Sequence, residues 1–463
     1  MLAWVKRYRW LVIGLMAAPL LIGIGVLIER QLEGPRPLEI RLGEPLSLPF
    51  TSGGGAFLVG LEAASPSTSW GEVGQEAAIL ETRVDDVYSQ DVVLHGGAPS
   101  LTYRLALGVI PPGQHTLTLS LRADAPNPVG ATVKVDELRL REVLPSDPSY
   151  LAITHTPILY GRALTDEREN YHTDVPLLMY HEVIPEGDQT TIQYGVIWSN
   201  EDGGTASPAL MARWGRTTDI EWAYRVNLDS SSEIVSEFYQ GQFHLTMPFR
   251  GEKEGRHPLL QTATFNNLMS EQISSDYRFF LSPETSLPSG RAREIMMDVN
   301  PWTYRIMAEE LLREGKIEEP ADPFSPRVSD PRNYLYLELD KTTLAPKSVS
   351  SLVGVAFRVT LRGGGTGVYT SHHDVPDQSV LRDGSASTTV ELPPGTRPDD
   401  IESIEAIVVS LSSGDFLVEL NSVTKAFFLG PDFVPQDSFF TWEDKVVLTP
   451  ENPAAVVYRR ESR

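Results

Sequence analysis

The chain has 463 residues, enough for about three domains at roughly 150 residues each, and its 41% apolar content excludes wholesale disorder. Its 62 acidic and 39 basic residues give a net charge of −23. Because this charge repels phosphate backbones and no run of Lys and Arg offsets it, we expect no nucleic-acid partner. The sequence contains no cysteine, which excludes disulfides, thiolate metal sites and cysteine nucleophiles.

The first predicted element is an uncharged apolar run from Trp10 to Ile28. As a helix it would rise about 28 Å, close to the thickness of a bilayer's hydrocarbon core. Lys6, Arg7 and Arg9 precede the run, and the positive-inside rule therefore places the N-terminus in the cytoplasm. The sequence predicts a cytoplasmic tip and transmembrane signal-anchor helix over residues 1–30, a stiff spacer over 31–37, and a body outside the cell membrane.

Two other interpretations of the apolar run stay open. A cleaved signal peptide needs a site of small residues at the far end, and Gly23-Ile24-Gly25 is a weak match. A buried soluble helix would need an unusually long apolar stretch. The anchor and the signal peptide both export the chain. The sequence has no N-x-Ser/Thr acceptor, which favours a bacterial cell envelope over a secretory pathway that glycosylates.

Short runs of alternating apolar and polar residues follow in two parts of the chain, as at 101–107 and 334–339. Such alternation is typical of half-buried strands. We therefore predict a mainly β fold, in which two β-sandwich regions of jelly-roll or immunoglobulin-like type, over 38–145 and 331–463, flank a middle domain. The two flanking regions resemble the β-sandwich modules often appended to carbohydrate-active proteins, which implies a carbohydrate-binding role.

The middle domain, over 150–330, is predicted to be β-rich with one or two helices. The best-signalled helix has Asn300 as its N-cap, Pro301 in its first turn and Gly315 at its end. Strands are predicted at 192–198 and 219–226. This domain is also rich in Trp, Tyr, His, Arg and acidic residues, so the candidate sites are sought here.

Asp219 and Glu221 are the candidate catalytic pair. Two residues apart on a strand, they leave the same face, with their α-carbons about 6.6 Å apart, while Ile220, Trp222 and Tyr224 occupy the other face. Glycoside hydrolysis uses two carboxyl groups about 5–9.5 Å apart. A solvated strand face would show the same pattern, so the pair is also compatible with a purely structural role.

Ligand-binding candidates surround this pair. Arginine forks clamp carboxylates and flat indoles stack on sugar rings. Asp298 and Asn300 stand at a predicted helix N-terminus, where free backbone N–H groups accept polar ligands. The predicted ligand-binding residues are Trp198, Arg213, Trp214, Arg216, Trp222, Asp298 and Asn300.

Two segments have metal-ligating composition. Asn200 and Asp202 precede glycines in an oxygen-rich turn that suits Ca²⁺, and His181 with Glu182 supplies an imidazole and a carboxylate. A plain hairpin turn explains the first segment equally well. Adjacent strand residues point to opposite faces, so His181 and Glu182 need a bend to share one ion.

These observations lead to two functional hypotheses. The first is a single-pass membrane protein whose exported body binds a saccharide or another polar envelope ligand, and hydrolyses or modifies it. The second is a non-catalytic scaffold of the cell envelope that uses the Trp- and Arg-rich segment as a protein–protein interface. An enclosed cleft holding Asp219, Glu221 and an indole would favour the first, and a flat or self-buried disposition of those side chains would favour the second. A third alternative stays open, in which these indoles and guanidinium groups pack between domains.

Overall fold

The computed structural model of the chain describes residues 38–164, 169–201, 203, 205–363, 367–412 and 414–460. The predicted anchor and spacer, over 1–37, lie outside the described residues. Within the described ranges, no helix is both long enough and apolar enough to cross a bilayer.

The N-terminal region is a sandwich of two four-stranded antiparallel sheets, with strand orders β1-β8-β3-β6 and β2-β7-β4-β5. Its strands pair in nested fashion, first with last: β1 with β8, β2 with β7, β3 with β6 and β4 with β5. This eight-stranded nesting is the jelly-roll arrangement. The strands are β1 (Leu38–Ile40), β2 (Leu46–Ser52), β3 (Ala56–Ala64), β4 (Ala78–Val84), β5 (Val87–Leu94), β6 (Leu101–Val109), β7 (Gly113–Leu121) and β8 (Val133–Val143).

The middle region contains a six-stranded sheet, ordered β14-β13-β12-β11-β10-β19, and a five-stranded one, ordered β15-β16-β9-β18 with β17 beside β16. The strands are β9 (Ile158–Tyr160), β10 (Pro176–Glu186), β11 (Gln189–Trp198), β12 (Ile220–Leu228), β13 (Ile234–Gln240), β14 (Thr246–Pro248), β15 (Lys253–Glu254), β16 (His257–Thr262), β17 (Met269–Ser270), β18 (Arg278–Phe279) and β19 (Thr285–Ser286). The helices are α1 (Tyr150–Thr154), α2 (Glu169–His172), α3 (Ser207–Trp214), α4 (Ile295–Asp298) and α5 (Trp302–Arg313).

The C-terminal region is a second sandwich, with sheets β23-β20-β25-β26 and β22-β21-β24-β27. Its strands are β20 (Tyr334–Leu344), β21 (Val353–Leu361), β22 (Val368–Thr370), β23 (Gly384–Glu391), β24 (Ile401–Ser410), β25 (Leu417–Phe427), β26 (Val446–Leu448) and β27 (Ala454–Arg459), and its one α-helix among the described residues is α6 (Lys347–Ser350). Three-residue 3₁₀ helices lie at Gln242–His244, Pro331–Asn333, Pro376–Gln378 and Pro398–Asp400.

The N-terminal sandwich and the middle region share one continuous hydrophobic core, which also takes in Tyr334, Tyr336, Phe427 and Leu429 of the C-terminal region. The rest of the C-terminal sandwich has a core of its own. Leu105 of β6 forms an isolated bridge with Leu281, and the N–H of Ala106 donates to the carbonyl of Phe280 at 2.8 Å. These backbone contacts fix the first sandwich against the middle region.

The mainly β fold with antiparallel sandwich sheets is confirmed. The prediction of one or two helices in the middle domain is wrong, since five helices occur there within the described residues. Four of them have eight residues or fewer, and helices of that length depend on tertiary contacts rather than on intrinsic propensity.

Candidate functional site

A cleft of about 510 Å³ opens between the middle region and the C-terminal sandwich. This volume lies in the range of small-molecule sites, about 300–1,000 Å³. Residues before and after α3, residues from the later part of the middle region, and the segment just before β23 form its walls. The lining residues are Glu201, Thr205, Leu210, Arg213, Trp214, Arg216, Asp219, Glu221, His244, Asn266, Arg293, Ser379, Val380, Leu381 and Arg382.

Asp219, which directly precedes β12, is only 3% exposed. Its backbone carbonyl accepts a hydrogen bond from the N–H of Trp198 at 2.9 Å, which holds it beside the end of β11. Its Oδ2 accepts from Nδ2 of Asn267 at 3.0 Å. The carboxyl group is therefore fixed in place by two neighbouring segments.

Glu221 is the second carboxyl group of the cleft, and it receives several donors. Its Oε2 accepts from Nε2 of Gln240 at 2.9 Å and from Nη1 of Arg293 at 3.4 Å, and Nδ1 of His244 lies 4.0 Å away. The hydrogen bond from Arg293 brings a positive charge to this carboxyl group. Asp219 and Glu221 thus line one cleft in different surroundings.

A β-bulge follows this pair and changes the predicted alternation. Tyr194 pairs with Tyr224, but the next residue of β11, Gly195, pairs with Trp222, so Ala223 is an extra residue in β12. Ile220 and Tyr224 are buried, whereas Trp222 is only half-buried. The prediction that these three side chains share one face is wrong, because the bulge interrupts the period of two before Tyr224.

Helix α3 carries Arg213 and Trp214 to the cleft, and Arg216 follows it. The helix ends at Gly215, whose φ of +65° is a left-handed conformation, and this turn directs the chain toward Asp219. The hydroxyls of Thr388 and Thr389 in β23 donate to the carbonyls of Ala212 and Met211 at 2.5 and 2.9 Å. The C-terminal sandwich therefore caps α3 and sets its position.

Behind the cleft, the buried carboxylate of Glu294 lies near three guanidinium groups. Oxygens of Glu294, which is 3% exposed, lie 3.6 Å from Arg216, 3.8 Å from Arg293 and 3.2 Å from Arg382. Burial alone would raise the pKa of Glu294, but the three arginines outweigh it and lower that pKa below its ordinary value. The cluster joins the two walls of the cleft electrostatically.

The pKa of Asp219 moves in the opposite direction. Burial, followed by the nearby carboxylates of Glu221 and Glu201, raises it well above its ordinary value. Burial likewise raises the pKa of Glu201. The cleft therefore places a carboxyl group whose pKa is raised beside one that accepts a hydrogen bond from an arginine. Two carboxyl groups in different surroundings can divide the roles of acid and base.

Five of the predicted site residues line the cleft together: Arg213, Trp214, Arg216, Asp219 and Glu221. The other two tryptophans do not. Trp198 is fully buried in the core, and Trp222 packs against Arg225, whose Cζ lies 4.7 Å from the indole centroid. The prediction that both are stacking surfaces is therefore not supported by their positions.

Asp298 and Asn300 lie away from the lining residues. Asp298 accepts from the hydroxyl of Tyr304 at 2.9 Å and from Nζ of Lys425 at 2.5 Å. Asn300 donates to the carbonyl of Met296 at 2.9 Å. Both side chains hydrogen-bond to neighbouring elements of the fold. Their role in the structure is therefore structural, in place of the predicted ligand-binding role.

The four predicted metal ligands do not form one site. Pro176 of β10 pairs with Trp198 of β11, two residues before Asn200. His181 lies five residues further along β10, so it is about 16 Å from the segment that carries Asn200. Nδ1 of His181 donates to a backbone carbonyl at 2.7 Å, and Glu182 points to the opposite strand face. Within the described part of the chain, no three His, Asp or Glu side chains gather in a metal-binding arrangement.

The calcium turn stays a prediction, because Asp202 lies outside the described residues. Asn200 is already engaged in the fold. Its Oδ1 accepts from the N–H of Asp174 and its Nδ2 donates to Glu314, both at 3.1 Å.

Sequence reasoning missed several residues of the cleft. These residues come from distant parts of the chain and carry no shared motif; the one local signal is the charged Arg293-Glu294 pair directly before the apolar residues of α4. The missed residues are Glu201, Thr205, His244, Asn266, Arg293 and Arg382, with Glu294 behind them.

No protein-family model matches the sequence, and no curated protein matches it. Solved structures with partial similarity include the CBM36-1 domain of a multidomain xylanase from the hindgut metagenome of Trinervitermes trinervoides, at 13% identity, 23% of this chain, 77% of that chain and a TM-score of 0.19. Carbohydrate-binding module CBM36 in complex with calcium and xylotriose matches at 12% identity, 22% and 77% coverage and a TM-score of 0.17.

A third similar structure is NLPPya in complex with mannosamine, at 14% identity, 31% of this chain, 75% of that chain and a TM-score of 0.22. Because these TM-scores are all far below 0.5, we draw no functional conclusion from the likenesses. The function is inferred from the cleft itself.

Proposed function

We propose that the cleft binds a saccharide and hydrolyses its glycosidic bond, with Asp219 and Glu221 as the acid and base. One observation carries this proposal: two carboxyl groups in different electrostatic surroundings line the same 510 Å³ cleft as an indole. The first residue is buried beside other carboxyl groups, and the second is held by Arg293. That division is what glycoside hydrolysis requires.

The chemistry follows from the two environments. Asp219 donates its proton to the leaving glycosidic oxygen while the bond from that oxygen to the anomeric carbon breaks. Glu221 assists the attack of water on the anomeric carbon, and the proton lost by water restores the acid–base pair. One water is consumed and two sugar products with free hydroxyls are formed.

Other lining residues suit a hydroxyl-rich ligand. The half-buried indole of Trp214 offers a flat apolar surface for a sugar ring. Asn266, His244 and Thr205 offer donors and acceptors around it. Apolar surface with a few directed polar groups is the usual composition of a small-molecule site.

The tryptophans divide between the two hypotheses. Trp198 is fully buried and Trp222 packs against Arg225, which is the self-buried disposition expected of the scaffold. We prefer the ligand-binding hypothesis because Asp219, Glu221 and Trp214 line one cleft.

We further propose that the apolar run at residues 10–28 anchors the protein, so that the cleft faces outside the cytoplasm. Its support is the uncharged length of the run and the three basic residues before it.

The full-length chain in detergent, applied to a glycan array and then to any bound glycan in a reducing-end assay, tests the proposal. We expect binding and turnover by the wild type. Glu221→Gln and Asp219→Asn should retain binding within about tenfold and lose turnover by about a hundredfold or more. Asp437→Asn, in an exposed segment, is the control and should match the wild type.

Two results would overturn the proposal. Absence of wild-type binding to every glycan on the array would refute saccharide recognition. Unchanged turnover in both carboxyl variants would refute the assignment of Asp219 and Glu221.

A further inference from the structure

The cleft has a local charge composition opposite to that of the chain. Four of its fifteen lining residues are arginines and three are Asp or Glu, whereas acidic residues outnumber basic ones by 62 to 39 in the whole sequence. Burial raises the pKa of Asp219 and of Glu201, which reduces the negative charge opposing those arginines. A neutral ligand has no need of such a concentration of guanidinium groups.

Two of the four arginines form ion pairs with carboxylates of the protein itself. Arg216 is 2% exposed and lies beside Glu294. Arg293 spans Glu294 and Glu221. Charges that are largely removed from water need a partner, and these two arginines pair with the inner carboxylates.

Arg213 and Arg382 are the two most exposed of the four arginines. Their side chains are 27% and 39% exposed, compared with 2% for Arg216 and 25% for Arg293. Arg213 donates from Nε to the carbonyl of Asp377 at 2.8 Å, and Arg382 donates from Nη2 to the carbonyl of Ser385 at 2.8 Å. Within the described residues, Nη1 of each has no hydrogen-bond partner.

The two guanidinium groups come from opposite walls. Arg213 lies on α3 of the middle region, and Arg382 lies just before β23 of the C-terminal sandwich. Backbone carbonyls orient each fork. Each fork also has one carboxylate nearby: Nη2 of Arg382 donates to Oε2 of Glu294 at 3.2 Å, and Nη2 of Arg213 lies 3.5 Å from Oδ2 of Asp377. Glu294 is one carboxylate shared by three arginines, so it does not offset all of their charge. A planar fork with donors and no acceptor matches a carboxylate in a bidentate fashion, whereas a sugar hydroxyl must both donate and accept.

We infer that the saccharide bears carboxylate groups, as uronic-acid sugars do, and that Arg213 and Arg382 recognise those carboxylates from the two walls of the cleft. The inference rests on the proposed function. This inference names the substrate class of the same site. It also explains why arginine, and not lysine, occupies both positions, since lysine lacks the planar fork.

The test compares each acidic glycan with its own neutral derivative. Full-length protein in detergent is titrated with oligomers of polygalacturonate, alginate and hyaluronan, and with the same oligomers after methyl esterification of their carboxylates. We expect at least one acidic oligomer to bind about tenfold or more tightly than its ester, since esterification removes the charge and leaves the sugar ring intact.

The variants assign that preference to the two arginines. Arg213→Gln and Arg382→Gln should each reduce affinity for the acidic oligomer by about tenfold and leave affinity for its ester unchanged. Arg358→Gln is the matched control, because Arg358 is 37% exposed in the same sandwich as Arg382 but pairs with Glu405 outside the cleft. The conservative Arg382→Lys should recover part of the loss, and a melting temperature near that of the wild type shows that each variant is folded.

The outcomes separate this inference from the proposed function. Equal binding of an oligomer and its ester, or a preference unchanged in both Gln variants, overturns the inference while saccharide binding stands. Binding of neither form of any oligomer, together with no binding on the glycan array, overturns both. Tighter binding of sulfated neutral glycans than of uronates would overturn the assignment to carboxylates.

Discussion

At the residue scale, the properties of the cleft depend on how its two carboxyl groups are surrounded. Asp219 is 3% exposed and has one side-chain donor, Asn267. Glu221 is more accessible and has Gln240 and Arg293 as donors. The carboxyl group of Asp219 thus has a raised pKa, whereas that of Glu221 accepts a hydrogen bond from the charged Arg293.

The raised pKa of Asp219 predicts a pH dependence with a definite sign. Because its folded-state pKa exceeds the ordinary 3.8, its contribution to stability is complete below that value and is lost as pH rises through the raised pKa. The melting temperature of the wild type should therefore fall, relative to that of Asp219→Asn, as pH increases above about 4. Turnover should fall only as pH passes the raised pKa of the folded state, because the acid loses its proton there.

Melting curves and hydrolysis rates across pH check this prediction. Asp437→Asn, whose side chain is exposed, should follow the wild-type curve at every pH. If Asp219→Asn shows the same pH dependence of melting as the wild type, the burial of that carboxyl group has no energetic effect and the prediction is wrong.

At the element scale, α3 matters most, because it places Trp214 and Arg213 on one wall of the cleft. Its eight residues are too few to form a stable helix alone. Thr388 and Thr389 donate to its last carbonyls, and Gly215 reverses the chain in a left-handed conformation. The helix is therefore a product of its contact with the C-terminal sandwich.

Substitution at the end of this helix should affect stability and binding together. Gly215→Ala places a β-carbon at φ +65°, which costs about 1–2 kcal/mol, and the β-carbon would lie 3.4 Å from Ser387. We expect a lower free energy of unfolding in chemical denaturation and weaker glycan binding, because Arg213, Trp214 and Arg216 flank this turn.

Gly255→Ala is the matched control for this effect. Gly255 has φ +62° with no atom within 4 Å of the added β-carbon, and it lies between β15 and β16, away from the cleft. It should show a similar loss of unfolding free energy with unchanged glycan affinity. A loss of affinity as large as that of Gly215→Ala would show that general destabilisation, and not the position of α3, weakens binding.

At the scale of the whole molecule, the cleft depends on how the three regions meet. The N-terminal jelly roll and the middle region share one core, and the middle region forms one wall. The C-terminal sandwich contributes Tyr336 and Phe427 to that core, has a second core of its own, and supplies the other wall through residues 379–382. Glu294 and its three arginines hold these walls together.

The membrane anchor is the whole-molecule prediction with the most direct test. Full-length protein should sediment with the membrane fraction and resist extraction at alkaline pH, and deletion of residues 10–28 should release it, because that run carries no charge. Protease added outside intact spheroplasts should degrade the body. A cleaved signal peptide would instead yield a shorter mature chain without membrane association, and a chain found entirely in the cytosol would refute export.

The sequence by itself determined the features that depend on local periodicity and on neighbours along the chain. Alternation of period two predicted the sandwich strands, and the spacing of Asp219 and Glu221 predicted that both carboxyl groups face the same side. Both predictions concern residues a few positions apart, where backbone geometry fixes direction. The strand order of a jelly roll, by contrast, pairs the first strand with the eighth, and no local pattern specifies that pairing.

Only the tertiary structure decided which of the candidate side chains meet. Trp198 and Trp214 have the same side chain, yet the first is buried in the core at the end of β11 and the second lines the cleft. Arg382 reaches Glu294 across 88 positions of sequence, and His244 reaches Glu221 through the pairing of β12 with β13. Burial and long-range pairing are set by the packing of whole sheets, which is why a single stretch of sequence does not reveal them.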